Sequence, residues 1–267
     1  MELHGRRVVV TGASSGIGRQ LALDLVREGA KAVLVARRTE LLKDVQGEIR
    51  SAGGDAEVYP CDVSDSEKYQ ETARFILEAG PVDVLINNAG YGFAGPFLRY
   101  SPAEVERLMR TNFMGAVLGV SAFAPGMKER GMGHIVNLAS MAGLIPVPYL
   151  GAYSATKFAL AALSQALRHE LAPFGVGVST ICPGAVDTPF FEAHPSLSKP
   201  RGLRRARAIT GARVSRGVLT AIRKNQGLVI FPRSLSFLAV VMRIVPGLQS
   251  LALAFYARRA ARAYGGR

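Results

Sequence analysis

Two ionisable side chains stand one helical turn apart in Tyr153-Ser154-Ala155-Thr156-Lys157. A helix brings residues i and i+4 onto one face, so the phenol and the ammonium become neighbours. Alone, such a pair is an ordinary helix-surface contact worth roughly 0.2–0.5 kcal/mol. A second group of residues with chemical potential lies far upstream. Thr11-Gly12-Ala13-Ser14-Ser15-Gly16-Ile17-Gly18 follows an apolar run and leads into a helical pattern. A strand, a glycine-rich turn and a helix in that order present backbone N–H groups and a helix N-terminus to a pyrophosphate. Glycine suits these positions because a side chain would block close approach or forbid the backbone angles. The spacing is G-x-x-x-G-x-G rather than the common dinucleotide G-x-G-x-x-G, so this turn alone does not separate phosphate binding from an ordinary tight turn.

Other positions decide. Ser140 lies thirteen residues before Tyr153, just beyond an apolar run at His134–Leu138. Asn87-Asn88-Ala89-Gly90 follows another such run, and Asn112 is read as opening a long apolar helix. Pro183-Gly184 ends a further run, with Val186 and Thr188 shortly after.

The elements that must position these groups are legible as an alternation. Strands are predicted at Arg7–Val10, Ala32–Val35, Ala56–Tyr59, Val84–Ile86, His134–Leu138, Gly177–Ile181 and Leu228–Phe231. Helices are predicted between them, including Ile17–Arg27, Glu40–Ser51, Ser66–Glu78 and Ser154–Ala172. Strands separated by helices at this spacing make βαβ units and a parallel sheet covered on both faces. The strands are apolar almost throughout, as burial on both faces requires.

With these motifs in this order, the first 232 residues resemble the short-chain dehydrogenase/reductase family. The resemblance implies an α/β, Rossmann-like, doubly wound fold with a seven-stranded parallel sheet, helices on both faces and a single domain. It divides the chain into a dinucleotide-binding catalytic domain over 1–232, with a substrate lid at about 185–212, and an apolar, basic helical extension over 233–267. It implies that Tyr153 donates or accepts the proton at a carbonyl or alcohol oxygen. A phenol titrates near 10, and the positive charge of Lys157 is expected to lower that value. Ser140 would donate to the developing alkoxide, and Asn112 would hold a water that passes protons to Lys157.

The same resemblance implies a dinucleotide held by Gly12, Ser14, Ser15, Gly16, Ile17 and Gly18, by Asp62 and Val63, and by Asn88, Ala89 and Gly90. Tyr153, Lys157, Pro183, Gly184, Val186 and Thr188 complete the set. An acid at the end of the second strand would bind the adenosine 2′-hydroxyl. Here stand Ala36, Arg37 and Arg38, whose guanidinium groups offer paired donors to a 2′-phosphate, so NADP(H) is the expected cofactor. The loops expected to line the substrate pocket supply Phe93, Met141, Leu144, Pro146, Tyr149, Phe190 and Phe191, together with Tyr91, Ile145 and Val147. An almost wholly apolar set favours a lipophilic carbonyl or alcohol such as a steroid, retinoid or long-chain acyl compound.

The net charge of +13 belongs to one part of the chain. Residues 1–192 carry 18 basic and 20 acidic side chains, whereas residues 193–267 carry 15 basic and none acidic. A nucleic-acid-binding body would spread its basic residues over the main fold, so nucleic acid is not an expected partner. The segment Ser234–Ala257 is strongly apolar but broken by Arg243, Pro246 and Gly247, too short a run to span a bilayer. It reads either as a peripheral contact with an anionic membrane or as a helical pair covering a subunit interface or the core. His194, Lys199, Arg201, Arg204, Arg205 and Arg207 of the lid either meet an acidic head group or keep the lid solvated.

Composition narrows the rest. With 49% hydrophobic and 20% charged residues, the chain can bury a core and is neither disordered nor fibrous. Cys61 and Cys182 are too few for a disulfide framework, and His4, His134, His169 and His194 have no ligand spacing, so no metal is expected. The N-terminus shows no secretory pattern, and a cytoplasmic location is expected, with the membrane contact on that face. A homodimer or homotetramer is expected from the resemblance. Two alternatives remain open at this stage: a dehydratase or epimerase on the same fold, and a non-catalytic NADP(H)-binding membrane or scaffold protein.

Overall fold

The computed structural model describes residues 1–188, 190, 208–232 and 234–261. Phe191, most of the expected lid and the basic residues between His194 and Arg207 lie outside the described residues. Seven strands are present: β1 (Arg7–Thr11), β2 (Lys31–Ala36), β3 (Ala56–Pro60), β4 (Val84–Asn87), β5 (Gly133–Leu138), β6 (Val176–Pro183) and β7 (Leu228–Phe231). They form one parallel sheet in the order β3-β2-β1-β4-β5-β6-β7. The helices of the main body are α1 (Gly16–Arg27), α2 (Thr39–Ser51), α3 (Ser66–Glu78), α4 (Pro102–Met109), α5 (Gly115–Glu129), α6 (Gly151–Leu171) and α7 (Gly211–Arg223). The extension forms α8 (Ser234–Ile244) and α9 (Pro246–Ala261), parted where Pro246 and Gly247 were expected to break it.

Local chemistry explains several boundaries. Asp65 caps α3 by accepting from the backbone of Lys68, and Ser101 and Glu104 form a reciprocal capping box on α4 beside Pro102. Thr210 caps α7, the helix between β6 and β7. The side chains of β1 are buried on both faces of the sheet. Val8 and Val10 join a core beneath α1, α2 and α7, while Val9 joins one beneath α3 and α5. Burying a side chain of this size contributes roughly 1.5–3 kcal/mol, which holds the β1 end where the glycine-rich turn begins.

Strand order reverses between β1 and β4, both of which neighbour each other at the sheet centre. In open sheets of this kind the crevice beyond the strand C-termini at that reversal is where ligands bind.

Candidate active site

The crevice is built by clamping the turn after β1 to the loop after β4. Thr11 Oγ1 accepts from the backbone nitrogens of Asn88 and Ala89 at 3.0 Å each, and Asn88 Nδ2 donates to Thr11 O at 2.9 Å. Gly12 has φ +67°, and a Cβ there would lie 2.8 Å from Ala89 Cα. Gly18 serves the junction itself, since a Cβ would fall 2.2 Å from Gly12 O. Ser15 is the N-cap of α1 but makes no side-chain cap bond; its hydroxyl accepts from Arg38 Nη2 at 2.8 Å instead. Ser14 Oγ accepts from the same nitrogen at 3.1 Å.

A cavity of about 640 Å³ runs from this turn to the end of β6. Of the expected cofactor residues, Gly12, Ser14, Ser15, Gly16, Ile17, Arg37, Arg38, Asp62, Val63, Asn88, Ala89 and Gly90 line it, as do Tyr153, Lys157, Pro183, Gly184, Val186 and Thr188. Gly18 packs behind it. Arg37 is largely exposed and pairs with Asp62 at 3.5 Å, so Arg38 is the guanidinium held on the turn.

At the far end, α6 presents Tyr153 and Lys157 into the cavity, both buried. Lys157 Nζ donates to Leu138 O at 2.7 Å and lies 5.9 Å from the centre of the Tyr153 ring. Ser140, which caps the turn Met141–Gly143 through a bond from the Ala142 nitrogen, hydrogen-bonds the Tyr153 phenol. Gly143 packs on the backbone of α6, where a Cβ would meet Lys157 O at 2.5 Å. No side chain can separate the Ser140 turn from the helix carrying Tyr153.

Burial dominates the electrostatics of both Tyr153 and Lys157. Burial raises the Tyr153 phenol above its ordinary value, with the Ser140 hydrogen bond pulling the other way. Lys157 shares this buried end of the cavity. The ammonium is itself desolvated, which brings it down to about 8.

Asn112 departs from expectation. It lies in a π-helical turn, Arg110–Met114, between α4 and α5 rather than opening the apolar helix. Its Nδ2 donates to Tyr91 O at 2.9 Å and Thr156 Oγ1 at 3.1 Å, while its Oδ1 accepts from Tyr91 N at 3.0 Å. It borders Gly90, where a Cβ would lie 3.0 Å from Asn112 Oδ1 and 3.7 Å from Lys157 Nζ. Such π-helical turns are frequent at functional sites.

Among expected pocket residues, Met141 and Phe190 line the cavity, as do Tyr91 and Val147. The ring of Phe190 meets Tyr153 edge-on with centres 5.6 Å apart. Phe93 does not line it: the ring is fully buried and packs edge-on against Tyr100, centres 4.6 Å apart. Leu144 packs with Ala139, Ala161 and Ile230, Pro146 is exposed, and Tyr149 stands at φ +66° with its carbonyl accepting from Gly95. These three likewise lie outside the cavity wall. Sequence reasoning missed Thr111, Leu150 and Tyr256, all of which line it. Only the third dimension brings Tyr256 of α9 to this place.

Cys61 and Cys182 are buried and unpaired, and burial pushes the Cys182 thiol up to about 12. Among the described residues no cluster of His, Cys, Asp or Glu could hold a metal ion. No helix among them is long and apolar enough to cross a membrane.

The family described as short chain dehydrogenase matches residues 6–197. The chain is 45% identical over 183 residues to the probable oxidoreductase EphD of Mycobacterium tuberculosis, covering 68% of this chain and 31% of that protein. The match thus spans about a third of that relative's length. It is 38% identical over 200 residues to the ketoacyl reductase HetN of a Nostoc species, covering 74% and 70% respectively. It is also 39% identical over 206 residues to 3-ketodihydrosphingosine reductase of Bos taurus, covering 75% and 62%. Among solved structures, a Burkholderia phymatum short-chain dehydrogenase/reductase in complex with NAD superposes with TM-score 0.85 at 30% identity, covering 93% of this chain and 96% of that one. A Sphingobium yanoikuyae short-chain dehydrogenase in complex with NADPH gives 0.81 at 28% identity, covering 92% and 95%. The crevice at the strand reversal, the Ser140–Tyr153–Lys157 arrangement and these likenesses agree: the chain belongs to the short-chain dehydrogenase/reductase family.

Proposed function

We propose that the protein is an oxidoreductase that uses NADP(H) to interconvert a carbonyl and an alcohol on a lipophilic substrate. The observation that carries the reading is the Tyr153 phenol, buried between Ser140 and Phe190 at one end of a cavity whose other end holds Arg38 on the glycine-rich turn. The residues present fit the dinucleotide. The open N-terminus of α1 and the hydroxyls of Ser14 and Ser15 suit a pyrophosphate, and Arg38, with Arg37 beside it, suits a 2′-phosphate. When bound, NADP(H) supplies or accepts the hydride.

The chain's own residues do the remaining work. In the reducing direction Tyr153 Oη gives its proton to the carbonyl oxygen as negative charge develops there. Its raised pKa keeps the phenol protonated and ready to donate at neutral pH. Ser140 Oγ orients the carbonyl by a second hydrogen bond and stabilises the alkoxide. Lys157, held by Leu138 O, adds positive charge behind the phenol and favours the tyrosinate left after transfer. Asn112 fixes the Tyr91 loop over this end of the cavity and supports the proton path to Lys157.

The apolar wall of Met141, Val147, Leu150 and Phe190 supports a lipophilic substrate. Two of the relatives are named as reductases of keto compounds, one a ketoacyl and the other a sphingoid-type base, which supports a ketone on a long chain. We assign a homodimer or homotetramer, supported by the exposed Met114 and Phe158 near the helices α5 and α6. A cytoplasmic site with peripheral contact to an anionic membrane through 233–267 belongs to the same reading.

The test is NADPH oxidation at 340 nm against ketones and aldehydes graded by apolar size, with NADH in parallel. Turnover that prefers NADPH and grows with apolar bulk is expected. Equal use of NADH would overturn the cofactor assignment, and cofactor binding without turnover on any carbonyl would overturn the reaction.

A further inference from the structure

The helical pair α8–α9 is rooted at the substrate end of the cavity. Leu235 of α8 packs in one apolar cluster with Met141, Leu144 and Ile145. Its Cδ1 lies 3.1 Å from the point a Cβ on Gly184 would occupy. Met141 and Gly184 also border the cavity. The pair therefore sits against the entrance rather than trailing from the far side of the sheet.

Helix α9 has two faces, both apolar. Ala252, Leu253, Tyr256, Ala257 and Ala260 are half-buried at helical spacing and form the inner face. Tyr256 from this face lines the cavity, and burial raises its phenol. Leu248, Leu251, Ala254 and Phe255 recur on the outer face, with Leu251 and Phe255 each 70% exposed. A surface helix ordinarily turns a polar face outward. Phe237 of α8, 77% exposed, and Ile244 at its end also leave large apolar side chains exposed.

Charge says what covers the outer face. The chain from 193 to its end has 15 basic and no acidic residues, and the outer face of α9 runs into exposed Arg258. A second copy laid on this face would bring two wholly basic segments together. An anionic bilayer meets both demands, taking apolar side chains below the head groups and pairing lipid charge with the arginines. We propose that α8 and α9 dock on an anionic bilayer and that the pocket draws a long-chain lipid carbonyl from it past Tyr256. This rests on the oxidoreductase reading above.

Cosedimentation of the full chain with phosphatidylcholine vesicles, with and without phosphatidylglycerol, tests the docking. Binding to the anionic vesicles alone, weakening by about tenfold or more between low and physiological salt, is expected. The double variant Leu251→Glu, Phe255→Glu should lose vesicle binding while quenching of its fluorescence by NADPH shows it folded. With a long-chain ketone dissolved in the vesicles, wild-type turnover should rise about tenfold on adding anionic lipid, and the double variant should show no rise. Tyr256→Ala should keep vesicle binding yet lose preference for long over short ketones in kcat/KM. No vesicle binding by the wild type, or unchanged binding by the double variant, would overturn docking. A smaller oligomer for the double variant without wild-type vesicle binding would assign the face to a second copy and equally overturn it. Absence of turnover on every ketone condemns the oxidoreductase reading instead, because vesicle binding is read without catalysis.

Discussion

The guanidinium of Arg38 donates to the hydroxyl of Ser15 across 2.8 Å, tying the end of β2 to the turn that follows β1. Ser14 accepts from the same nitrogen at 3.1 Å. A cation and two hydroxyls thus converge where a 2′-phosphate would arrive. Arg37, adjacent in sequence, faces Asp62 instead.

The two arginines should therefore separate in mutation. Arg38→Ala is expected to raise KM for NADPH by roughly 10–100-fold, the loss of a charge-assisted contact of about 1.5–3 kcal/mol, with KM for NADH little changed. Arg37→Ala should have the smaller effect. Steady-state kinetics with both cofactors decides, and equal effects of the two changes would contradict the placement.

Tyr153→Phe removes the proton donor and leaves the ring against Phe190. A fall in kcat of about 10²–10⁴-fold, with NADPH affinity retained, is expected from the loss of general acid catalysis. Titration by fluorescence quenching alongside turnover reads both. Persistent activity would remove Tyr153 from the reaction.

Lys157 sets a pH limit on reduction. Burial lowers its pKa to about 8, so its charge is present below that pH and lost as pH rises through it. The kcat/KM for carbonyl reduction, which reports the groups of the uncombined enzyme, should hold on the acid side and decline above about pH 8. A profile between pH 6.5 and 9.5 measures this. A flat profile across that interval would show that the lysine charge is not needed.

His134 sets a limit on stability at the other end of the scale. It is buried on β5, its Nε2 lies 2.8 Å from Ser179 Oγ, and desolvation lowers its pKa to about 4. The unfolded chain binds a proton on this residue near pH 6.5, the folded chain only near 4, so stability falls as pH drops between them and the effect levels off below. The loss amounts to at most about 3 kcal/mol. Urea denaturation at pH 7, 5.5 and 4.5 should show it, and His134→Gln should flatten that part of the curve.

The sheet and the main reacting groups were legible because both rest on local signals. Apolar β-branched runs spaced by helical stretches specify parallel strands, and the glycine-rich turn, Asn88–Gly90, Ser140 and Pro183-Gly184 sit at or just past strand ends, while Tyr153 and Lys157 share one face of a helix. The differences arise where tertiary packing chooses. Phe93 reads as a pocket ring but turns into a cluster with Tyr100, because an aromatic side chain gains more from full burial than from a half-open wall. Nothing in the sequence separates Arg37 from Arg38; the direction of each side chain at the end of β2 does. Asn112 stands in a π-helical turn that apolar periodicity smooths over. Tyr256 is more than a hundred residues from Tyr153, and only the return of α9 over the cavity brings both to one wall.

The contact of Gly143 with the backbone of α6 has a consequence for how such a catalyst can diversify. With no room for even a methyl group between them, the serine turn and the tyrosine helix form one fixed piece, and their spacing tolerates no adjustment to a new substrate. Tyr256, by contrast, reaches the cavity from α9, outside that piece. Reaction and preference are thus carried by separable modules. Exchanging α8 and α9 between relatives is the natural unit for redesigning preference, since it alters the wall and leaves the proton-handling geometry untouched.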